Sequence, residues 1–177
     1  MLEEIFGNVE NQELVQKALT HPSFTKENNI DSLMNYERLE FLGDSVLKLV
    51  SSKLLYNMFK EYPEGELSKI RSILISDNIL AKVSKEIGVD KLIKLGPAEE
   101  KQGGRSRESN LACSLEALLG AYFLNNKFEE IEDFIKKYLF IYVDDINEHF
   151  ENTGTGMAMK NFELGGRTNV PTFELDY

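Results

Sequence analysis

Glu37, Glu40 and Asp44 fall three and four residues apart within Asn35-Tyr36-Glu37-Arg38-Leu39-Glu40-Phe41-Leu42-Gly43-Asp44-Ser45-Val46-Leu47. The segment has no proline and a single glycine. It continues through an apolar-periodic run to about residue 59, so it reads as a helix. Residues at these spacings share a helix face, which projects the three acids together, with Phe41 one turn after Glu37. Arg38 points elsewhere, and no base is expected on the acidic face to relieve the repulsion. Clustered carboxylates of this kind favour a divalent cation or a shared proton. The plain alternative is a solvated acidic stripe, and the apolar residues flanking the acids count against it.

The chemistry that such acids serve best is hydrolysis of a phosphodiester. That reaction needs an activated water and a stabilised leaving oxygen, and one or two Mg²⁺ ions held by carboxylates provide both. Mg²⁺ takes oxygen ligands and keeps several waters, so a few acids suffice. Glu40 and Asp44 supply two of them. Glu116, on a later helix, becomes a third if folding sets the two helices face to face.

The elements that must position these acids are helical. Residues 11–19 form a short amphipathic helix with Asn11 as N-cap, ended by Pro22. Residues 25–32 read as a polar loop. The acid-bearing helix is expected over 33–59, on the order of 40 Å long, followed by a turn at Pro63 and Gly65. Helices are expected over 66–75 and 78–87, the second capped by Ser76 or Asp77 and stopped at Gly88. Residues 91–107 hold Gly96, Pro97, Gly103 and Gly104 and read as an irregular connection. Its bases Lys101, Arg105 and Arg107 suit either a solvated loop or a phosphate contact. Ser106 or Ser109 caps the helix carrying Glu116, through about residue 125, and a last amphipathic helix is expected over 127–150. Its acidic start, Glu129 to Asp133, reads as a solvated first turn favoured by the helix dipole. His21 reads as a helix-end hydrogen-bonding residue rather than a catalytic base, and His149 has no supporting context. No period-2 strand is evident through residue 150, so the fold class is all-α.

The run Glu37-Arg38-Leu39-Glu40-Phe41-Leu42-Gly43-Asp44-Ser45-Val46-Leu47 closely resembles the signature of the ribonuclease III family, the nucleases that cut double-stranded RNA. Three further stretches fit the same pattern: Ala18-Leu19-Thr20-His21 with Ser23-Phe24, Pro63-Glu64-Gly65-Glu66-Leu67-Ser68 with Ile70-Arg71, and Arg107-Glu108-Ser109 with Leu111-Ala112 and Glu116-Ala117-Leu118-Leu119-Gly120-Ala121. The resemblance covers about residues 10–145. It implies a homodimeric helical endonuclease domain that uses Mg²⁺, with Mn²⁺ as a substitute, to cut double-stranded RNA in RNA processing, leaving 5′-phosphate and 3′-hydroxyl ends. It implies Glu40, Asp44 and Glu116 as metal ligands, with Asp44 and Glu116 as catalytic groups. It places Glu37 and Glu64 near the site, and Phe41 at the dimer interface, filling a cavity in the partner subunit. One position departs from the pattern. The family carries an Asp three residues before Glu116, and this chain has Cys113. A thiol is mostly neutral at pH 7 and is a poor partner for hard Mg²⁺, so a weakened or altered metal site is expected. The alternative function is a catalytically impaired RNA-binding or assembly subunit that keeps the fold and the dimer.

Composition narrows the remaining classes. The chain has 177 residues, 42% hydrophobic and 28% charged, ordinary for one globular domain with a small appendage. The division expected is a catalytic domain over 1–150 and a tail over 151–177. The tail reads as a remnant or truncated start of the double-stranded-RNA-binding domain that follows in the family, whose first strand the stretch from Val170 to Leu175 resembles, or as an unrelated extension. The single cysteine excludes an internal disulfide and a zinc cluster of cysteines. No apolar stretch is long enough to span a membrane, and the N-terminus lacks the features of a secretion signal. The expected location is therefore the cytoplasm, or an organelle. A net charge of −10 argues against tight RNA binding by this chain alone.

Overall fold

Residues 108–124 are apolar on nearly every side, and a helix of that kind must be enclosed by others. In the computed structural model, which describes residues 2–153, this helix is the centre of the molecule. The helices of the described residues run α1 Leu2–Phe6, α2 Gln12–Ala18, α3 Pro22–Glu27, α4 Glu37–Met58, α5 Glu64–Leu74, α6 Asp77–Glu86, α7 Val89–Leu92, α8 Pro97–Lys101, α9 Glu108–Leu124, α10 Phe128–Tyr138 and α11 Val143–Thr153. Eleven of the 17 residues of α9 are buried, and α4, α6, α2 and α10 pack around it. Leu115, Leu118 and Leu119 are fully enclosed, each contributing about 1.5–3 kcal/mol of apolar burial. Among the described residues there is no strand, only an isolated parallel bridge between Thr20 and Lys94. The all-α expectation is met.

The contact that fixes the fold's geometry is the crossing of α4 and α9. A Cβ built on Gly43 would overlap the backbone carbonyl of Glu116, and one built on Gly120 would overlap the carbonyl of Leu39. Only glycine lets the two backbones come this close. Glu40 and Asp44 flank Gly43 on one helix, and Glu116 lies one turn before Gly120 on the other. The same two glycines that permit the crossing therefore bring the acids to it.

The structure moves several expected boundaries. The long helix begins at Glu37, because Asn35 accepts the Glu37 amide at 2.9 Å and a separate 3₁₀ turn, Ser32–Met34, precedes it. The expected loop over 25–32 is helical in its first three residues, which end a helix started by Pro22 at its first position with His21 as N-cap. The helix after Pro63 starts at Glu64. No serine side chain caps α9, whose N-cap is Arg107. The last segment is broken at Leu139 by a 3₁₀ turn, Phe140–Tyr142, before α11 resumes. Phe140, Val143 and Ile146 are fully buried, so that bend turns the chain back onto the core. The proposed boundary at residue 150 falls inside α11, and the tail beyond residue 153 lies outside the described residues, as does any strand at Val170.

The acidic start of α10 is not merely solvated. Glu132 is buried and accepts from Lys53 of α4 at 2.8 Å and from Lys136 at 3.0 Å. Burial opposes its ionisation, yet hydrogen bonds from Lys53 and Lys136 hold its carboxyl below the ordinary range. The pair Lys53–Glu132 ties α10 to the acid-bearing helix.

Candidate active site

Glu40, Cys113 and Glu116 meet at the α4–α9 crossing, all three half-buried. Neighbouring acids act on every one of them. Burial, then Asp44, Glu40 and Asp77, push the Glu116 carboxyl up to about 7, with Lys48 opposing. Burial also raises Glu40, and Glu37, Asp44 and Asp77 add to the rise, while a hydrogen bond with Cys113 offsets it. Burial, then the charge of Glu40 and the hydrogen bond with it, push the Cys113 thiol up to about 12, with Glu116 and Asp77 contributing. At neutral pH Cys113 is thus a protonated thiol that donates to the Glu40 carboxylate. It is not an anionic ligand, and the charge that an Asp would bring at this position is missing.

The walls of the site come from chain segments that backbone bonds tie together. Tyr36 is buried, its amide donates to the Thr20 carbonyl at 2.9 Å, and its ring meets His21 edge-on at 5.5 Å between centroids. Burial, with Cys113 and Glu40 beside it, raises the Tyr36 phenol. The phenol hydrogen-bonds to Cys113, so Tyr36, Cys113 and Glu40 form a short chain of partners. His21 accepts the Ser23 amide through Nδ1 at 3.0 Å, a helix-capping role, and its other face meets Asn110. Burial lowers His21 against the pull of Glu99. Glu37 is exposed and hydrogen-bonded by Asn35 at 2.9 Å, close enough for its charge to act on Glu40 and His21.

One feature differs from the sequence expectation: the acidic face does carry a base, Lys48, which follows Asp44 by one turn and pairs with it at 2.7 Å. Glu64 stands at the start of α5. It accepts from Ser68 at 2.6 Å and borders a cavity of about 390 Å³ between α4 and α5 beside Leu49, Ser52, Tyr56 and Leu67. Ser52 lies eight residues beyond Asp44, about 12 Å along the helix. The bases Arg105 and Arg107 are committed to their own connection: Arg105 pairs with Glu100 at 2.6 Å and donates to the Asp90 and Ile93 carbonyls, while Arg107 pairs with Glu99. Asp77 was legible only as a helix cap. Its place in this cluster comes from the packing of α6 on α9, which no local pattern reveals.

The donor set consists of hard carboxylate oxygens, which fits Mg²⁺ or Mn²⁺. Among the described residues, no three His, Cys, Asp or Glu side chains already converge as a ready ligand group. Asp44 is turned onto Lys48, with which it pairs at 2.7 Å.

A family model described as ribonuclease-III-like matches residues 11–143. The chain belongs to the ribonuclease III-like family. Ribonuclease 3 of Streptococcus agalactiae is 42% identical over 144 residues, covering 81% of this chain and 63% of that protein. Ribonuclease 3 of Lactococcus lactis is 45% identical over 136 residues, covering 76% of this chain and 59% of that protein. This ribonuclease III-like chain spans about three-fifths of the length of these curated relatives. Among solved structures, the nuclease domain of ribonuclease III from Campylobacter jejuni superposes with a TM-score of 0.71 at 36% identity, covering 78% of this chain and 93% of that domain. That work describes a flexible region involved in the dimer formation of the Campylobacter domain. The helical expectation thus extends from fold class to fold family.

Proposed function

We propose that this ribonuclease III-like chain is a divalent-metal-dependent endoribonuclease that cuts double-stranded RNA as a homodimer. The observation that carries the reading is the crossing at Gly43 and Gly120, where Glu40 and Asp44 face Glu116. Bound between these carboxylates, Mg²⁺ or Mn²⁺ would supply an activated water and charge stabilisation at the leaving oxygen. Glu40, Asp44 and Glu116 would hold the ion, Asp44 leaving Lys48 to do so, and Asp44 and Glu116 would be the catalytic pair that orients the attacking water. Tyr36 and Cys113 hold the Glu40 carboxylate in place. Glu37 lies at the rim of the site. The products carry 5′-phosphate and 3′-hydroxyl ends, and the setting is RNA processing. No helix among the described residues is long and apolar enough to cross a membrane.

The dimer reading rests on α4. Phe41, Leu49 and Tyr56 are 79%, 60% and 72% exposed, and their spacing of eight and seven places them on one stripe of the helix. The cavity beside Leu49, Tyr56 and Leu67 has room for the Phe41 side chain of a second copy. Phe41→Ala is expected to weaken self-association about 30-fold or more, as loss of an aromatic anchor of about 2 kcal/mol would. Its melting temperature as a monomer should hardly change, because Phe41 touches little within its own chain. Sedimentation equilibrium checks the first point, and a thermal melt at a concentration where both proteins are monomeric checks the second.

One observation favours a second reading, the catalytically impaired RNA-binding or assembly subunit: the neutral thiol of Cys113 stands where the family pattern has a carboxylate. A cleavage assay on duplex RNA with Mg²⁺ separates the two. The natural chain is expected to cut, and Cys113→Asp should lower the Mg²⁺ concentration needed for half-maximal rate about 10-fold. If only Cys113→Asp cuts, the natural chain is the impaired subunit.

A further inference from the structure

The missing charge at Cys113 has a replacement nearby, on a different helix. α6 packs along α9, where Ser84 Oγ donates to the Leu111 carbonyl at 2.9 Å. Asp77, the first residue of α6, precedes Ser84 by seven residues. That is two turns on the same face, about 10 Å along the axis. Cys113 and Glu116 follow Leu111 on α9, and the exposed Asp77 carboxylate lies near enough for its charge to act on both. Its charge reaches Glu40, Cys113 and Glu116 together. No other acid acts on all three from outside α4 and α9 in these interactions.

We propose that Asp77 is a positioning residue of the metal site, restoring the carboxylate that Cys113 removes by accepting hydrogen bonds from metal-bound water. This rests on the metal-site reading above. Mg²⁺ and Mn²⁺ retain water ligands, so a carboxylate need not touch the ion to strengthen its hold. An outer carboxylate on α6 and a thiol on α9 divide what one Asp would do. Cys113 keeps the hydrogen bond to Glu40, and Asp77 brings the negative charge.

The test is calorimetric titration of the full chain with Mn²⁺ in the absence of RNA, on the natural protein, Asp77→Asn, Cys113→Asp and the double variant, with Glu40→Gln alongside. Asp77→Asn should weaken Mn²⁺ about 10-fold in the natural background. In the C113D background the same change should cost less than about twofold, because the inner carboxylate makes the outer one redundant. A merely structural role, a favourable charge at a helix N-terminus, would cost the same in both backgrounds and leave Mn²⁺ affinity alone. Asp77→Ser, which keeps a residue suited to helix starts, should reproduce the Mn²⁺ loss with the melting temperature held. The proposal is overturned if Asp77→Asn and Asp77→Ser bind Mn²⁺ within twofold of the natural chain while Glu40→Gln abolishes binding, or if the loss is equal in both backgrounds. If Glu40→Gln also leaves Mn²⁺ affinity unchanged, the metal-site reading falls and this proposal falls with it.

Discussion

Glu116→Gln should reduce duplex-RNA cleavage by about 10³-fold or more and, above pH 7, make the protein harder to melt. The first effect follows from losing an inner carboxylate, worth several kcal/mol of charge stabilisation in the transition state. The second follows from the state of that carboxyl in the fold. Burial, with Asp44, Glu40 and Asp77 around it, raises Glu116 from an ordinary value of 4.5 to about 7. Between those two values the folded chain holds a proton that the unfolded chain has lost, so stability falls as pH rises through the window and stays low above it. The full linkage would be about 3 kcal/mol, and solvent screening of a half-buried group leaves about 1–2 kcal/mol. Gln removes the penalty. Its melting temperature at pH 8 should exceed that of the natural chain by about 2–8 °C, and at pH 4 the gain should vanish. Calorimetric melts at the two pH values, with the cleavage assay, check the pair of outcomes. A variant that is dead and less stable at pH 8 would mean that Glu116 is a packing residue instead.

Gly43→Ala should be the most damaging added methyl among the glycines of the described residues. Its Cβ would overlap the Glu116 carbonyl oxygen and press on the Gly120 amide nitrogen at 2.9 Å. Both are helix backbone, so no flexible side chain can move aside. The helices must part, which opens the core around Leu39, Leu47 and Leu115. We expect a loss of about 3–5 kcal/mol, a large share of the 5–15 kcal/mol typical of a domain. The melting temperature should fall by about 10–15 °C. Cleavage should fall further than the folded fraction does, because the same movement carries Glu116 away from Glu40 and Asp44. Thermal melts and cleavage per folded molecule measure the two losses separately. Gly65→Ala is the control: a Cβ there meets nothing within 4 Å.

Much of this was legible in the chain because it is written locally. The helix with Glu37, Glu40 and Asp44 follows from periodicity and spacing, and Asn11 marks a helix start by its own chemistry; Pro22 reads as a stop and is also the start of the next helix. The resemblance to ribonuclease III rested on contiguous runs, and a family match over residues 11–143 agrees with its extent. What the sequence hid depends on packing between distant segments. Lys48 is an exception, a partner that local spacing alone supplies, one turn from Asp44. Glu132 reads as a solvated helix start until Lys53, 79 residues away in the chain, reaches it. The break at Leu139 has no proline or glycine to announce it and arises because Phe140 and Val143 must both face the core. Glu64 carries a family-like sequence around it, but its neighbours Ser52 and Tyr56 across the α4–α5 cavity come only from packing. Arg105 and Arg107 look like a basic patch in a list of residues and are pins of a folded loop in space.

The claim at the centre of this account is that a divalent cation binds where α4 crosses α9. Crystals of the protein soaked with Mn²⁺, with data collected at the manganese absorption edge, test it directly. The account predicts an anomalous peak within ligand distance of Glu40 and Glu116, with Asp44 swung off Lys48 towards it. A crossing with no such peak, the acids still spread and Asp44 still on Lys48, would contradict it.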